Sequence, residues 1–164
     1  YFVRPDGATV HYDKRHLFTY GGEHKEYTGG DRRVIAEYKG WRILLQVCYD
    51  LRFPVWSRNR DDYDMILYVA SWPTPRVEAW SALLKARAIE NVCYVAGVNR
   101  VGDDPNCNYC GGTVLLDFLG KPLADAGTGG QPATLSAEAD KISLTTFREK
   151  FPALQDADPF TLNI

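Results

Sequence analysis

The chain has 164 residues, of which 45% are hydrophobic and 13% aromatic, with a formal net charge of -2 and a pI near 5.9. This length suits one domain with a real core, over residues 1–164, and the weak, scattered charge gives no electrostatic reason to expect nucleic acid. No apolar run approaches the roughly 20 residues that span a bilayer, and no signal-peptide pattern opens the chain. We therefore expect a cytoplasmic protein with no membrane partner.

The first segment, YFVRPDGATVHYDKRHLF at residues 1–18, predicts a β-hairpin that turns at Pro5-Asp6-Gly7. Residue 1 is Tyr rather than Met, so the sequence reads as a hairpin already under way. We expect the chain to begin partway through a larger protein, with an N-terminal segment missing.

Apolar stretches then alternate with helical ones. The predicted strands are RILLQVC (42–48), DMILYVA (64–70) and VCYVAGVN (92–99), and the predicted helices are one that starts at Pro54 and RVEAWSALLKARAIEN (76–91). Strands that are apolar throughout are typical of strands covered on both faces. Strands that alternate with helices predict parallel pairing through right-handed crossovers, and hence an α/β fold.

The C-terminal part has a different composition. GDDPNCNYCGG (102–112) is rich in turn residues and predicts a loop, TVLLD and KPLADA predict a hairpin, and ATLSAEAD (133–140) predicts another strand. We expect these later strands to be antiparallel and peripheral. The last segment predicts a short helix that ends before Pro152, followed by an extended tail that packs on another surface such as a partner subunit.

The cysteines give no sign of a metal site. Cys48 and Cys93 lie in apolar runs, as expected of unpaired thiols in a reducing compartment. Cys107 and Cys110 form one CxxC, but a second is absent and the histidines lie at the other end of the chain. Because a zinc site usually needs four ligands, we interpret this CxxC as an ordinary loop with two thiols.

Cys48 has two interpretations. It ends an apolar strand and is followed at once by the polar turn 49–52. At the carboxyl end of a strand, the amides of the next segment can lower a thiol pKa and hold an oxyanion, which favours a nucleophile. The alternative is a packing residue at the end of a strand, and the residues alone leave both open.

A nucleophilic thiolate needs a base or a cation beside it. The histidines are poorly placed for this, since they all lie in the hairpin and the segment after it, at positions 11, 16 and 24. Lys14 and Glu23 are the other candidates. On position alone, each is most often a solvated surface charge.

Five segments together resemble the nitrilase, or carbon-nitrogen hydrolase, superfamily, and most closely its bacterial omega-amidases. They are YDKRHLF (12–18), GGEHKEYTGG (21–30), VCYDLRFPVWSRN (47–59), ARAIENVCYVAGVNRVG (86–102) and REKFPALQDAD (148–158). The resemblance implies an α/β fold that is part of a four-layer α-β-β-α sandwich. It also implies a small-molecule amide substrate and no metal or organic cofactor.

The resemblance also implies roles for particular residues. The family uses a Glu-Lys-Cys triad and a second glutamate, which Cys48, Lys14 and Glu23 match, with Glu26 a weaker match for the second glutamate. Its general-base glutamate lies before the lysine segment and has no counterpart here, so we expect the isolated chain to be inactive. Cys48 would attack the amide carbonyl, and Lys14 with the backbone N–H of Tyr49 would hold the oxyanion.

Specificity rests on a carboxylate clamp. An omega-amidase acts on 2-oxoglutaramate or 2-oxosuccinamate, so its pocket must hold a carboxylate, and Arg52 and Arg76 are the arginines nearest the expected site. The alternative for either is an internal ion pair. Trp72 is expected either to wall the pocket or to pack in its loop. Three residues of the helix segment are expected to make structural hydrogen bonds: Arg87, Glu90 and Asn91.

Two other functions stay open at this point. One is another reaction of the same superfamily, by a nitrilase, a carbamoylase or a general aliphatic amidase. The other is a non-catalytic, partner-binding module. The resemblance further implies a homodimer or a larger even assembly, formed through the region after the nucleophile and the C-terminal tail.

Overall fold

A computed structural model of the chain describes residues 1–162. It contains ten short strands and three helices. The strands are β1 (Phe2–Val3), β2 (Thr9–Val10), β3 (Ile35–Tyr38), β4 (Trp41–Val47), β5 (Met65–Ala70), β6 (Tyr94–Asn99), β7 (Val101–Asp103), β8 (Asn108–Cys110), β9 (Val114–Leu116) and β10 (Pro122–Asp125); the helices are α1 (Pro54–Ser57), α2 (Val77–Glu90) and α3 (Lys141–Lys150).

Six strands form one mixed sheet in the order β10-β9-β6-β5-β4-β3. The central strands β4, β5 and β6 are parallel, while β3, β9 and β10 join antiparallel at the two edges. Strands β1 and β2 form the predicted hairpin, and β7 and β8 form a second one. Because the central strands are parallel, their carboxyl ends meet at one edge, which is where open α/β sheets place their sites.

One face of the sheet packs against α2. Trp80, Leu84 and Ala88 of this helix are fully buried against Leu44 of β4 and Ile66 of β5. A Cβ atom at Gly97 of β6 would collide with Leu84, so a glycine lets the helix approach the strand closely. Burial of this kind contributes about 25 cal/mol per Å² of apolar surface, which makes the α2 face the main core.

The opposite face is covered only in part, by the first hairpin over β3 and β4 and by α3 over the start of β6. Leu144 of α3 is buried against Tyr94, at the start of β6. Towards the other end, Val69 and Val98, which are register partners in β5 and β6, are 48% and 45% exposed. At their carboxyl ends these strands are therefore only partly covered on this face by the described residues, which differs from the expectation of cover on both faces.

Most of the predicted elements are confirmed. The first hairpin, the three parallel strands, α2, the hairpin of β9 and β10, and the last helix all form. The α/β class is thus confirmed. Residues 1–162 form a single large sheet, so a second large sheet of the expected sandwich is not among them.

Two predictions need correction. Residues 133–140 form no strand: the stretch pairs with no neighbouring strand, and only Leu135 and Ala139 in it are half-buried. The loop predicted at 102–112 instead contains most of the β7–β8 hairpin. The helix predicted from Pro54 is confirmed; it is four residues long and follows a 3₁₀ turn at Cys48–Arg52. Strand β3 is an additional edge strand that the sequence pattern did not indicate.

Two further findings concern the C-terminal tail and the search for membrane-spanning helices. The last residues of the expected extended tail, Asn163 and Ile164, lie outside the described residues; up to residue 162 the tail contains a turn and no strand. Across the described part of the chain, no helix is both long and apolar enough to cross a membrane.

Candidate active site

Cys48 occupies a strained backbone position at the carboxyl end of β4. Its φ angle is +47°, in the left-handed region that residues with a Cβ atom seldom adopt. Such a conformation costs on the order of 1–3 kcal/mol and persists only where the surroundings impose it. Strand β4 ends at Val47, the chain turns sharply at Cys48, and a 3₁₀ turn follows as far as Arg52. The thiol is thereby held at the sheet edge.

Lys14 and Glu23 form a close ion pair. The lysine Nζ lies 2.8 Å from Oε1 and 2.6 Å from Oε2 of the glutamate. Oε2 also accepts a hydrogen bond of 2.8 Å from the backbone N–H of Phe18. The Lys14 side chain is only 14% exposed, so this is a half-buried, oriented pair and neither residue is a solvated surface charge.

Two glycines bring the lysine segment close to the segment that follows it. The N–H of Gly30 donates to the Lys14 carbonyl at 2.9 Å. A Cβ atom at Gly30 would collide with the carbonyl of Asp13, and one at Gly29 would lie 2.8 Å from the carbonyl of Arg15. The two glycines of the YTGG sequence therefore allow backbone packing that no larger residue permits.

The seven site residues expected from the sequence all line one cavity of about 780 Å³. They are Lys14, Glu23, Cys48, Tyr49, Arg52, Trp72 and Arg76. A volume of this size is ordinary for a small-molecule site. The structure thus brings together segments that are far apart in sequence, and the catalytic and binding roles of these residues stay predictions.

Neither arginine of the cavity is used in an ion pair with any residue that the structure describes. Arg52 places its guanidinium 5.0 Å from the centre of the Trp72 ring, and Arg76 places its own 5.6 Å from the centre of the Phe18 ring. The expected alternative of an internal ion pair is therefore wrong for both. A guanidinium that rests on an aromatic ring keeps its N–H groups available for a carboxylate.

Trp72 both packs in its loop and lines the cavity. It is 3% exposed and lies within the core, where its ring centre is 5.5 Å from that of Trp80. Its indole N–H donates to the Arg76 carbonyl at 2.7 Å, and its backbone N–H donates to Oδ1 of Asn99 at 2.7 Å. Trp72 is therefore packed in its loop and also supports a cationic wall of the cavity.

The Cys48 thiol has opposing influences on its acidity. Burial raises the pKa of Cys48, and Glu23 and Asp50 add to this, whereas the nearby Lys14 ammonium lowers it. Burial prevails, so the pKa of Cys48 lies above its usual range.

The sequence reasoning missed nine of the residues that line the cavity, and two of these lie on a separate hairpin. Cys107 and Tyr109 line it from the β7–β8 hairpin. The tyrosine hydroxyl donates to Oδ2 of Asp104 at 2.7 Å, and the Arg100 guanidinium lies 4.3 Å from the ring centre. The hydroxyl of Thr74 donates to the Asn108 carbonyl at 2.9 Å and so fastens the hairpin beside Arg76. Strand alternation across 107–110 is the signal that could have placed these side chains together.

The remaining polar candidates are structural. Arg87 is 3% exposed and donates to the Leu51 carbonyl at 2.6 Å and to Glu90 at 2.8 Å. Asn91 accepts from the backbone N–H of Asn59 at 2.8 Å. The four thiols are unpaired, and within residues 1–162 no group of three or more potential ligands could hold a metal ion.

Comparison with known proteins agrees with this geometry. Residues 1–149 match the carbon-nitrogen hydrolase family. The chain is 57% identical over 161 residues to the omega-amidase YafV of Yersinia enterocolitica, covering 98% of this chain and 62% of the relative. It is 33% identical over 159 residues to a 2-oxoglutaramate amidase of Bacillus subtilis, covering 95% of this chain and 61% of the relative.

The same fold is seen in solved structures. A CN-hydrolase superfamily protein of Xanthomonas campestris, solved with an arsenic adduct in its active site, superimposes with a TM-score of 0.90 at 49% identity. The match covers 97% of this chain and 63% of that one. The chain thus combines an α/β sheet, a strained cysteine at the carboxyl edge of that sheet and an oriented lysine in the same cavity. The chain belongs to the carbon-nitrogen hydrolase family, and it spans about three fifths of the length of the relatives it matches.

Proposed function

We propose that this protein hydrolyses the terminal amide of a small 2-oxo acid, such as 2-oxoglutaramate or 2-oxosuccinamate, to the 2-oxo acid and ammonia. The observation that carries the proposal is the cavity, which is lined by a thiol, an ammonium and two guanidinium groups. Within residues 1–162, neither guanidinium group forms an ion pair. The similarity to an omega-amidase and to a 2-oxoglutaramate amidase supports the same substrate class.

The acylation step follows from the placement of Cys48. Its Sγ atom forms a bond to the amide carbon, and the carbonyl electron pair moves to the oxygen. When the intermediate collapses, the C–N bond breaks, the nitrogen takes the proton that the thiol lost, and ammonia leaves. A thioester on Cys48 remains. Because burial raises the pKa of Cys48, proton removal and attack are coupled, and the resemblance assigns this proton to a glutamate that precedes the lysine segment.

The oxyanion is stabilised by groups already in position. The Lys14 ammonium has three donors, two of which are directed at the Glu23 oxygens. The third is available to the substrate oxygen. Tyr49 is the second residue of the 3₁₀ turn, so the turn itself leaves its N–H without a partner. Water then attacks the thioester carbon, the C–S bond breaks, the acid is released and the sulfur takes a proton from the water to give back the free thiol.

Arg52 and Arg76 orient the substrate in the cavity. Both guanidinium groups line the cavity that contains Cys48, so a carboxylate held by them leaves the distal amide to face the thiol. A charge-assisted hydrogen bond of this kind contributes about 1.5–3 kcal/mol. A neutral amide of the same length lacks this contribution, which favours acids over simple aliphatic amides.

The proposal is tested by measuring ammonia release from 2-oxoglutaramate by the full-length protein and by its Cys48→Ala variant. We expect turnover in the first and none in the second. A neutral amide of equal chain length and a nitrile serve as comparison substrates. Preference for either would assign another reaction of the family, and no release from any of them would favour a partner-binding module.

The isolated 164-residue chain is expected to be inactive and loosely folded. The support is the pair of valines at the carboxyl ends of β5 and β6, Val69 and Val98, which are about half exposed. Bare apolar surface of this kind disfavours a stable monomer. A cooperative thermal transition together with amide hydrolysis by the isolated chain would refute this expectation.

A homodimer or larger even assembly is also proposed. The region after the nucleophile and the C-terminal region expose apolar side chains, among them Val55 at 49% and Phe151 at 58%. Light scattering of the full-length protein should give a mass of two or more chains, and a monomer at micromolar concentration would contradict it. The cytoplasmic location stays a prediction.

A further inference from the structure

Asp50 is the buried centre of a hydrogen-bond network behind the cavity. The residue is fully buried and accepts from two separate parts of the chain. Its Oδ2 atom accepts from the Tyr12 hydroxyl at 2.9 Å and from the Val47 N–H at 3.0 Å. Its Oδ1 atom accepts from the His16 N–H at 2.9 Å and lies 2.9 Å from Nδ1 of the same histidine.

The donors stand in a specific relation to the two reactive groups. Tyr12 and His16 flank Lys14, each two positions away, and Val47 directly precedes Cys48. One carboxylate therefore holds the Tyr12 side chain before the lysine, the His16 backbone after it, and the Val47 backbone just before the cysteine. Its bond to Val47 also closes the turn in which Cys48 takes its left-handed φ of +47°.

Tyr12 extends the network to the helix that follows the turn. Its oxygen accepts from Nε1 of Trp56 at 3.0 Å and from the Arg15 N–H at 3.1 Å. Burial and the Asp50 charge raise the pKa of Tyr12 well above its usual range, so the hydroxyl stays protonated and donates a hydrogen bond to the carboxylate. The lysine segment is thus anchored through one hydroxyl to Asp50 and α1.

We propose that Asp50 is a positioning residue, whose carboxylate fastens the segment that carries Lys14 to the turn that carries Cys48 and so sets the distance between the ammonium and the sulfur. The inference rests on the proposed function only in taking Cys48 as the nucleophile. A displacement of about 1 Å at a reacting group can cost about 10²-fold in rate, so the network affects catalysis although Asp50 is not among the residues that line the cavity.

The competing explanation is that Asp50 only stabilises the fold. Asp64 provides the comparison, because it is also buried, at 2% exposure, and binds Arg42 at 2.8 Å and Lys141 at 3.1 Å. Arg42 lies at the amino end of β4 and Lys141 begins α3, and neither residue lines the cavity. Asp64→Asn should therefore lower the melting temperature without changing the reactivity of Cys48.

The test is the pH dependence of iodoacetamide alkylation at Cys48, read by mass spectrometry of its peptide in the full-length protein. The charged groups that act on this thiol are Lys14, Glu23 and Asp50. If Asp50 acted by its charge alone, Asp50→Asn would move the alkylation midpoint down, because a negative neighbour is removed. If it positions Lys14, the midpoint moves up by about half a pH unit or more, since the ammonium moves away.

Tyr12→Phe removes an anchor of the lysine segment and leaves the Asp50 charge in place. We expect this variant to fold, to move the midpoint up and to lower kcat by about tenfold with KM within about threefold. It also decides the question if Asp50→Asn fails to fold. An unchanged alkylation midpoint in Tyr12→Phe would overturn the proposal. So would an unchanged midpoint in both variants together with a fall in melting temperature like that of Asp64→Asn. Because alkylation needs no substrate, these results are independent of whether the substrate assignment is correct.

Discussion

The Nζ atom of Lys14 lies within 2.8 Å of both carboxylate oxygens of Glu23. One of those oxygens also accepts the Phe18 N–H at 2.8 Å, which fixes the carboxylate to the backbone. The backbone therefore fixes the orientation of the glutamate, and the glutamate in turn orients the lysine. An ammonium held in this way is a fixed positive charge in the wall of the cavity.

Replacing Lys14 by Met should cut kcat by about 10²-fold or more, the usual effect of losing one oxyanion donor. The fold should survive, because Met retains the length of the apolar stem. Lys25→Met is the matched control, since that lysine lies in the same region and is exposed. Steady-state kinetics of the two variants decide the matter, and a near-normal kcat in Lys14→Met would show that the ion pair is only structural.

Arg52→Gln and Arg76→Gln should each raise KM for 2-oxoglutaramate by about tenfold, the effect expected when a charge-assisted bond to the substrate is lost. Hydrolysis of a neutral amide of the same length should change little. Arg32→Gln is the control, because this arginine is 75% exposed and does not line the cavity. Equal effects on the charged and the neutral substrate in both variants would exclude a carboxylate clamp.

Patterns within one segment made much of this fold and site predictable. The apolar runs that end at Val47 and Ala70 identified parallel strands, and the polarity change after Cys48 identified the sheet edge. Lys14 and Glu23 came from the resemblance, since on position alone they were ordinary surface charges. Only the structure shows that the pair is half-buried and oriented.

What the sequence could not provide depends on contacts between distant segments. Tyr109 reaches the cavity because Asn108 in its hairpin binds Thr74, more than thirty positions earlier. Asp50 looks like any polar turn residue until its partners Tyr12 and His16 are brought against it. Residues 133–140 alternate as a strand would, but hydrogen bonding needs a neighbouring strand, and the described fold offers none there.

Stability should fall in acid through Asp64. Burial raises its pKa, but hydrogen bonds from Arg42 and Lys141 outweigh this and lower the pKa to about 2 from its usual 3.8. A carboxyl whose pKa is lowered by folding stabilises the protein above its unfolded pKa, and this contribution is lost as the pH falls from about 4 to about 2.

Melting temperatures between pH 7 and pH 2 check this prediction. The difference between the parent protein and Asp64→Asn should be largest above pH 4 and should shrink towards pH 2. Asp31→Asn, at an aspartate that is 76% exposed, should show no such trend. A difference for Asp64→Asn that stays constant over the whole range would contradict it.

The central claim is that Cys48 forms a thioester with the acyl part of an amide. The most direct test is intact-protein and peptide mass spectrometry of the full-length protein quenched in acid during turnover of 2-oxoglutaramate. We predict a mass increase that corresponds to the substrate minus ammonia, located on the peptide that contains Cys48. It should be abolished in Cys48→Ala and retained in Cys107→Ser, which removes the other thiol of the cavity. An adduct on Cys93, Cys107 or Cys110, or full activity in Cys48→Ala, would contradict the claim.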